Sequence, residues 1–170
     1  CCAIETPLSS ASRAHVSAHA SAKAAKRPAY AVDEGVANFY YSPKGVRSWG
    51  GQSRLGMQTH GGDHVEYRRW WNETGVLWMQ IESIHSVSNA RQLGKAGVDC
   101  LSFGPMDLTL DIESHPEHPF QSVDDCVRHT VKVLEGSDVK VVYRNNTPKT
   151  RQKYLDMGVT ILLEVGWLLP

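Results

Sequence analysis

The stretch Val76–Asn89, VLWMQIESIHSVSN, decides how the chain folds. Its first half is a short apolar run of the kind that forms a strand buried on both faces. That run ends in Gln80 and Glu82, two residues apart and therefore on one face of the strand. A glutamate at a buried strand end loses hydration and needs a compensating partner. The question is what supplies it.

Working outward, the same period repeats. Residues 64–73 read as helix, Val76–Ile81 as strand, Ser86–Ala96 as helix ending at Gly97, and Val98–Phe103 as a second buried strand. The turn GPMDL and a loop containing HPEHP follow, then a helix over Val123–Leu134, a strand over Lys140–Tyr143, a helix over Pro148–Met157 ending at Gly158, and a strand over Thr160–Val165. Alternation at about 20 to 25 residues per unit is the mark of a parallel α/β sheet or barrel. The expected fold is α/β of the TIM-barrel type, in one domain spanning 1–170.

Composition sets outer limits. Among 170 residues, 18 Lys plus Arg balance 18 Asp plus Glu, so no global field favours nucleic acid or an anionic membrane. No apolar run is long enough to span a bilayer, and the N-terminus lacks the basic-then-apolar order of a signal peptide. The expectation is a cytoplasmic protein with a small-molecule partner. Cys1, Cys2, Cys100 and Cys126 form no C-x-x-C, and reduced thiols are expected. Cys100, in an apolar strand, reads as a small buried hydrophobe. The absence of an initial Met suggests a processed or incomplete product.

The front half is less regular. Ala3–Leu8 reads as the tail of a strand, and Ser9–Lys26 as an exposed helix carrying His15 and His19 at i, i+4, without a third metal ligand. Residues 18–39 are expected to form a loop insertion, because Arg27–Phe39 shows Pro, Gly and no clear period. The Gly-rich loop 41–57 holds Arg47 and Arg54, either solvated or cradling an anion. His60–His64, HGGDH, reads as a solvated turn rather than a metal site.

In a βα barrel the working residues project from the C-terminal ends of strands. Gln80 and Glu82 stand at one such end, and Asp107 follows the next strand, just past Gly104-Pro105. Neighbouring parallel strands lie about 4.8 Å apart, so Glu82 and Asp107 can share one cation. Two carboxylates leave an octahedral ion open to water and substrate, which suits Mg2+ or Mn2+. Such an ion chelates a 2-oxo acid and supports carbon–carbon bond chemistry next to it. Taken singly, Glu82 reads first as a salt-bridged strand end and Asp107 first as a helix N-cap, and it is the two together that point to a metal.

QIES and GPMDLT, one βα unit apart, resemble the two signature segments of the HpcH/HpaI aldolase (aldolase/citrate lyase) family. SPKGVRSWG is similar to its Pro-x-Gly-x-Arg-Gly loop, with Ser48 replacing the usual Gly, and Tyr67 and Asn72 keep the spacing of its next helix. AGVDCLSFGPMDLT, HPEHP and YLDMGVTILLEVG follow in family order. The resemblance implies a divalent-metal-dependent lyase acting on 2-oxo acids such as 4-hydroxy-2-oxo acids through a pyruvate enolate, with an aldehyde as the other partner. It implies Glu82 and Asp107 as metal ligands, and Gln80, Asp107 and the Met106 N–H as substrate contacts. Trp167 would make the mouth of the last strand bulkier. The family's first strands, with its catalytic His, Asp and Arg, have no counterpart here, and His85 reads as a capping or surface residue. The chain is therefore expected to be a partial barrel, joined as a homo-oligomer or to a complementing chain. The alternative is a catalytically silent fragment or structural subunit that keeps the metal pocket.

Overall fold

A single sheet organises the chain, with helices laid against it. The computed structural model describes residues 2–4, 15–18, 28–50 and 55–164. The elements, in order, are β1 (Cys2–Ile4), β2 (His15–Ala18), α1 (Pro28–Phe39), α2 (Leu55–Thr59), α3 (His64–Thr74), β3 (Val76–Ile81), α4 (Ile84–Ser88), α5 (Ala90–Leu93), β4 (Cys100–Phe103), α6 (Pro105–Glu113), α7 (Val123–Leu134), β5 (Lys140–Asn145), a 3-10 turn (Pro148–Thr150), α8 (Arg151–Asp156) and β6 (Ile161–Glu164). The strands lie in sequence order, with β1 antiparallel to β2 and every later pairing parallel. This is a largely parallel α/β sheet, and it fits the partial barrel that the family resemblance implies.

The core is the strands' apolar content meeting the helices' apolar faces. Leu77, Ile81, Leu101 and Phe103 are buried, as are Val87, Leu93, Leu108 and Val127 from the helices. Helix α3 starts where Asp63 accepts from the amides of Val65 (2.7 Å) and Glu66 (3.3 Å). The same helix anchors the preceding loop. Asn72 accepts from Tyr41 N (2.8 Å) and donates to Tyr41 O (2.9 Å), and Trp71 Nε1 donates to Phe39 O (2.9 Å). Gly97 and Gly158, each at φ +92°, turn the chain into the following strands in a region where an L side chain is strained.

Several expectations need correction. Residues 28–39 are a helix, not a loop: Val32, Val36 and Phe39 recur at helical spacing and pack inward, and Pro28 sits at the first helical position, where its fixed φ is favourable. His15 lies in strand β2 rather than on a helix, which removes the i, i+4 argument; His19 and the rest of that stretch lie outside the described residues. The helix expected over 86–96 is two short pieces separated at Asn89, whose φ −102° and ψ 12° leave the helical region and whose side-chain amide and backbone N–H both donate to His85 O (2.8 and 3.2 Å). Residues 148–157 begin as a 3-10 turn before α8. Leu55–Met57, expected in a loop, belong to α2.

Candidate active site

Strands β3 and β4 bring the two signature segments together. Their register pairs Gln80 with Ser102 and Ile81 with Phe103, and the ladder continues one step further as Gly104 N donates to Ile81 O (3.0 Å). Glu82 is thereby level with Gly104, the N-cap of α6. A Cβ on Gly104 would stand only 2.7 Å from Gln80 Nε2, from Glu82 Cγ and from Glu82 Oε1. Both side chains therefore lie directly over this glycine, and only a residue without a side chain leaves room for them. Asp107 follows three residues later in the first turn of α6.

Helix α6 begins with Pro105, which has no N–H, and Gly104 offers no side-chain cap. First-turn amides have no intrahelical acceptor, so the N–H groups of Met106 and Asp107 remain directed at the helix's positive end. Met106 is 78% exposed. Asp107 is at the third helical position, not the N-cap considered from sequence.

Glu82 is half-buried and Asp107 exposed. Among the described residues neither is in an ion pair, and no group of three or more His, Cys, Asp or Glu is placed to hold a metal. Two carboxylates from adjacent strand ends are what the protein offers here.

One contributor was not anticipated. Asp111, one turn after Asp107, accepts from Ile84 N at the start of α4 (2.7 Å). This bond ties the segment following Glu82 to the helix bearing Asp107. Its sequence signal was an acid at i+4 from Asp107, on the same helix face.

Other candidates fall elsewhere. Arg47 is half-buried over the rings of Trp71 (4.4 Å) and Tyr41 (5.3 Å), a cation–π position rather than a free loop cation. Ser48 is exposed in the same loop. His60–Gly62 is a turn, with Gly61 and Gly62 at positive φ, Asp63 caps α3 and His64 opens it, and His60 packs on Trp70 (4.7 Å). His85 is exposed on α4. Cys100 is buried, and burial pushes its thiol up to about 11, far from a nucleophile's range. Arg54 and Trp167 lie outside the described residues. A surface pocket of about 450 Å3, lined in part by Lys132, Lys140 and Thr160, lies at the opposite ends of β5 and β6.

The fold matches solved structures. The HpcH/HpaI aldolase from Desulfitobacterium hafniense superposes with a TM-score of 0.63 at 22% identity, over 80% of this chain and 52% of that one. A HpcH/HpaI aldolase/citrate lyase family protein from Burkholderia cenocepacia gives 0.62 at 23% identity, over 84% and 56%. The fold is that of the HpcH/HpaI aldolases. Macrophomate synthase shares it at a TM-score of 0.60 and 18% identity, over 82% and 50%. In sequence, the chain is 32% identical over 105 residues to a hydroxypyruvate/pyruvate aldolase of Chromohalobacter salexigens, covering 60% of this chain. No family model matches the chain. The chain spans about half the length of these solved relatives and 40% of the curated aldolase. Among the described residues no helix is long and apolar enough to cross a membrane.

Proposed function

We propose that this chain carries the metal- and 2-oxo-acid-binding end of a divalent-metal-dependent carbon–carbon lyase of aldolase type. The observation that carries the reading is the convergence of Gln80 and Glu82 on Gly104, three residues before Asp107. This glycine cradle fits a small cation: it brings one carboxylate against the start of the helix that bears the other, on strands about 4.8 Å apart. Glu82 and Asp107 would hold the Mg2+ or Mn2+, whose all-oxygen preference matches this donor set. When bound, the ion supplies Lewis-acid polarisation of a 2-oxo acid's keto group, the activation that cleavage or formation of the adjacent carbon–carbon bond requires.

The chain's own groups do the positioning. The Met106 N–H, at the positive end of α6, holds the substrate carboxylate, with the Asp107 N–H beside it. Gln80 lies over Gly104 next to Glu82 and donates its amide to a substrate oxygen. Asp111 keeps the two motif segments in register through Ile84 N. As cation ligands, Glu82 and Asp107 are not available as proton acceptors, so the base comes from a complementing chain or the rest of a longer barrel. The aldehyde partner and assembly as an oligomer belong to the same proposal. So does a cytoplasmic location, supported by the unpaired buried thiols of Cys100 and Cys126, and so does a single domain over 1–170.

The test measures pyruvate release from a 4-hydroxy-2-oxo acid with Mg2+ or Mn2+, for wild type, Glu82→Ala and Asp107→Ala. Each substitution is expected to lower the rate at least about 100-fold. Turnover that survives both substitutions and a chelator would overturn the metal assignment. Metal binding without turnover would instead favour a silent subunit that needs its complement, a reading supported by the span of only about half the solved relatives' length.

A further inference from the structure

Glu82 stands where β3 has ended and α4 has not begun. On one side of it, Gly104 N donates to Ile81 O (3.0 Å); on the other, Ile84 N donates to Asp111 Oδ2 (2.7 Å). Gly104 and Asp111 belong to the segment that carries Asp107 between them. The strips 81–84 and 104–111 are thus closed into a ring by one bond at each end, with one rim carboxylate on each strip. The first bond joins two backbones and comes with the sheet. The second depends on a single side chain.

That side chain is well supported. Asp111 is half-buried on α6, one turn after Asp107, and Leu108 and Ile112 of the same helix are buried in the core. His115 Nδ1 donates to Asp111 O (2.7 Å) and stands 3.6 Å from Oδ1. Ile84 N is a first-turn amide of α4 with no acceptor inside its own helix, and a carboxylate is a strong partner for such a group. Ser83 already caps α4 locally by accepting from Ser86 N (3.2 Å). The Asp111 bond therefore adds a constraint between segments to a helix start that has its own cap.

We propose that Asp111 is a positioning residue that sets the affinity of the rim for its divalent cation by fixing the backbone of Glu82 relative to Asp107. The inference rests on the proposed cation site at Glu82 and Asp107; Asp111 acts through Ile84 and is not itself a ligand. Without its bond, the strip bearing Glu82 loses its tie to α6 beyond Ile81. Metal–ligand distances tolerate only about 0.2 Å, so a small drift of Glu82 is enough to matter. Groups that orient a metal ligand from behind are worth about 10- to 100-fold in affinity.

The experiment titrates Mn2+ into the full chain and follows free Mn2+ by electron paramagnetic resonance, with the spectrum of bound Mn2+ and a circular dichroism melt recorded on the same samples. Asp111→Ala favours helix formation in α6 and removes only the acceptor; it should weaken Mn2+ binding at least about 10-fold and change the bound spectrum. Asp111→Asn keeps a side-chain oxygen that accepts from Ile84 N, and should stay within about threefold of wild type. Asp63→Ala is the matched control, because it removes the cap of α3, a helix that bears no residue of the site. It should lower the melting temperature and leave Mn2+ affinity unchanged. Wild-type affinity in Asp111→Ala, equal weakening by Asp111→Asn, or equal weakening by Asp63→Ala overturns the role of Asp111. If Glu82→Ala leaves Mn2+ binding unaffected, the underlying site is wrong instead, and the two failures are distinct.

Discussion

Replacing Gly104 by Ala tests the cradle directly. The new methyl would stand 2.7 Å from Gln80 Nε2 and from Glu82 Cγ and Oε1, whereas ordinary contact begins at 3.4 Å. Both side chains must therefore retreat by about 0.7 Å, several times the roughly 0.2 Å that metal–ligand distances tolerate. The backbone itself accepts the change, because Gly104 is at φ −93° and ψ 87°, within reach of an L residue. Ala is a poorer N-cap than Gly, which costs α6 about 1 kcal/mol or less. The atoms that must move are on flexible side chains, so the fold remains intact. Expected outcomes are a melting temperature lowered by no more than about 4 °C, and Mn2+ binding weakened by about 10- to 100-fold, equivalent to roughly 1.4 to 2.7 kcal/mol. Circular dichroism reads the first, and electron paramagnetic resonance of free Mn2+ reads the second. Gly97→Ala is the matched control: its φ of +92° strains any side chain, and its methyl would meet Val36 Cγ1 at 2.7 Å. That variant should lose stability and keep its metal affinity. Wild-type Mn2+ affinity in Gly104→Ala would refute the placement of Glu82 in the site.

Two further expectations concern stability. Leu101 is fully buried at the centre of β4, so Leu101→Ala should lower the free energy of unfolding by about 3 kcal/mol, read from urea denaturation midpoints with an unchanged slope. The carboxyl of Glu164 is held below its ordinary value of 4.5, first by the Arg151 hydrogen bond and then by that of Asn145. A depressed native value means stability that is present above about pH 4.5 and lost as pH falls through the lower folded value. Arg151→Gln should therefore flatten the acid limb of the stability–pH profile; a limb of unchanged steepness between pH 2 and 5 would show that the pair contributes nothing there.

Strand positions were legible because burial leaves a short apolar run that local composition reveals; β4 is buried throughout Cys100–Phe103, whereas β3 buries only Leu77, Met79 and Ile81 and keeps Val76, Trp78 and Gln80 half-buried. The adjacency of the segments that bear Glu82 and Asp107 was legible for a related reason. In a βα repeat, sequence spacing converts directly into neighbouring strand ends. Helix α1 was missed although Val32, Val36 and Phe39 carry the period, because Gly35 and Pro28 read locally as breakers. Pro28 is in fact the start of the helix, and Gly35 allows close contact with Met79 of β3, whose Cε would lie 3.3 Å from an added Cβ. The break at Asn89 was equally invisible, since local composition does not mark the non-helical backbone, φ −102° and ψ 12°, that this residue takes up.

By itself, then, the chain of residues determined the β/α alternation, the buried strands and the neighbouring strand ends after which Glu82 and Asp107 follow, all of which come from periodicities of 2 and 3.6 and from spacing along the backbone. Only the tertiary structure decided that Gln80 and Glu82 both rest on Gly104 and that Asp111 holds the motif segments together. Those are relations between strands. They depend on register, and a shift of one residue would turn every one of these side chains to the opposite side.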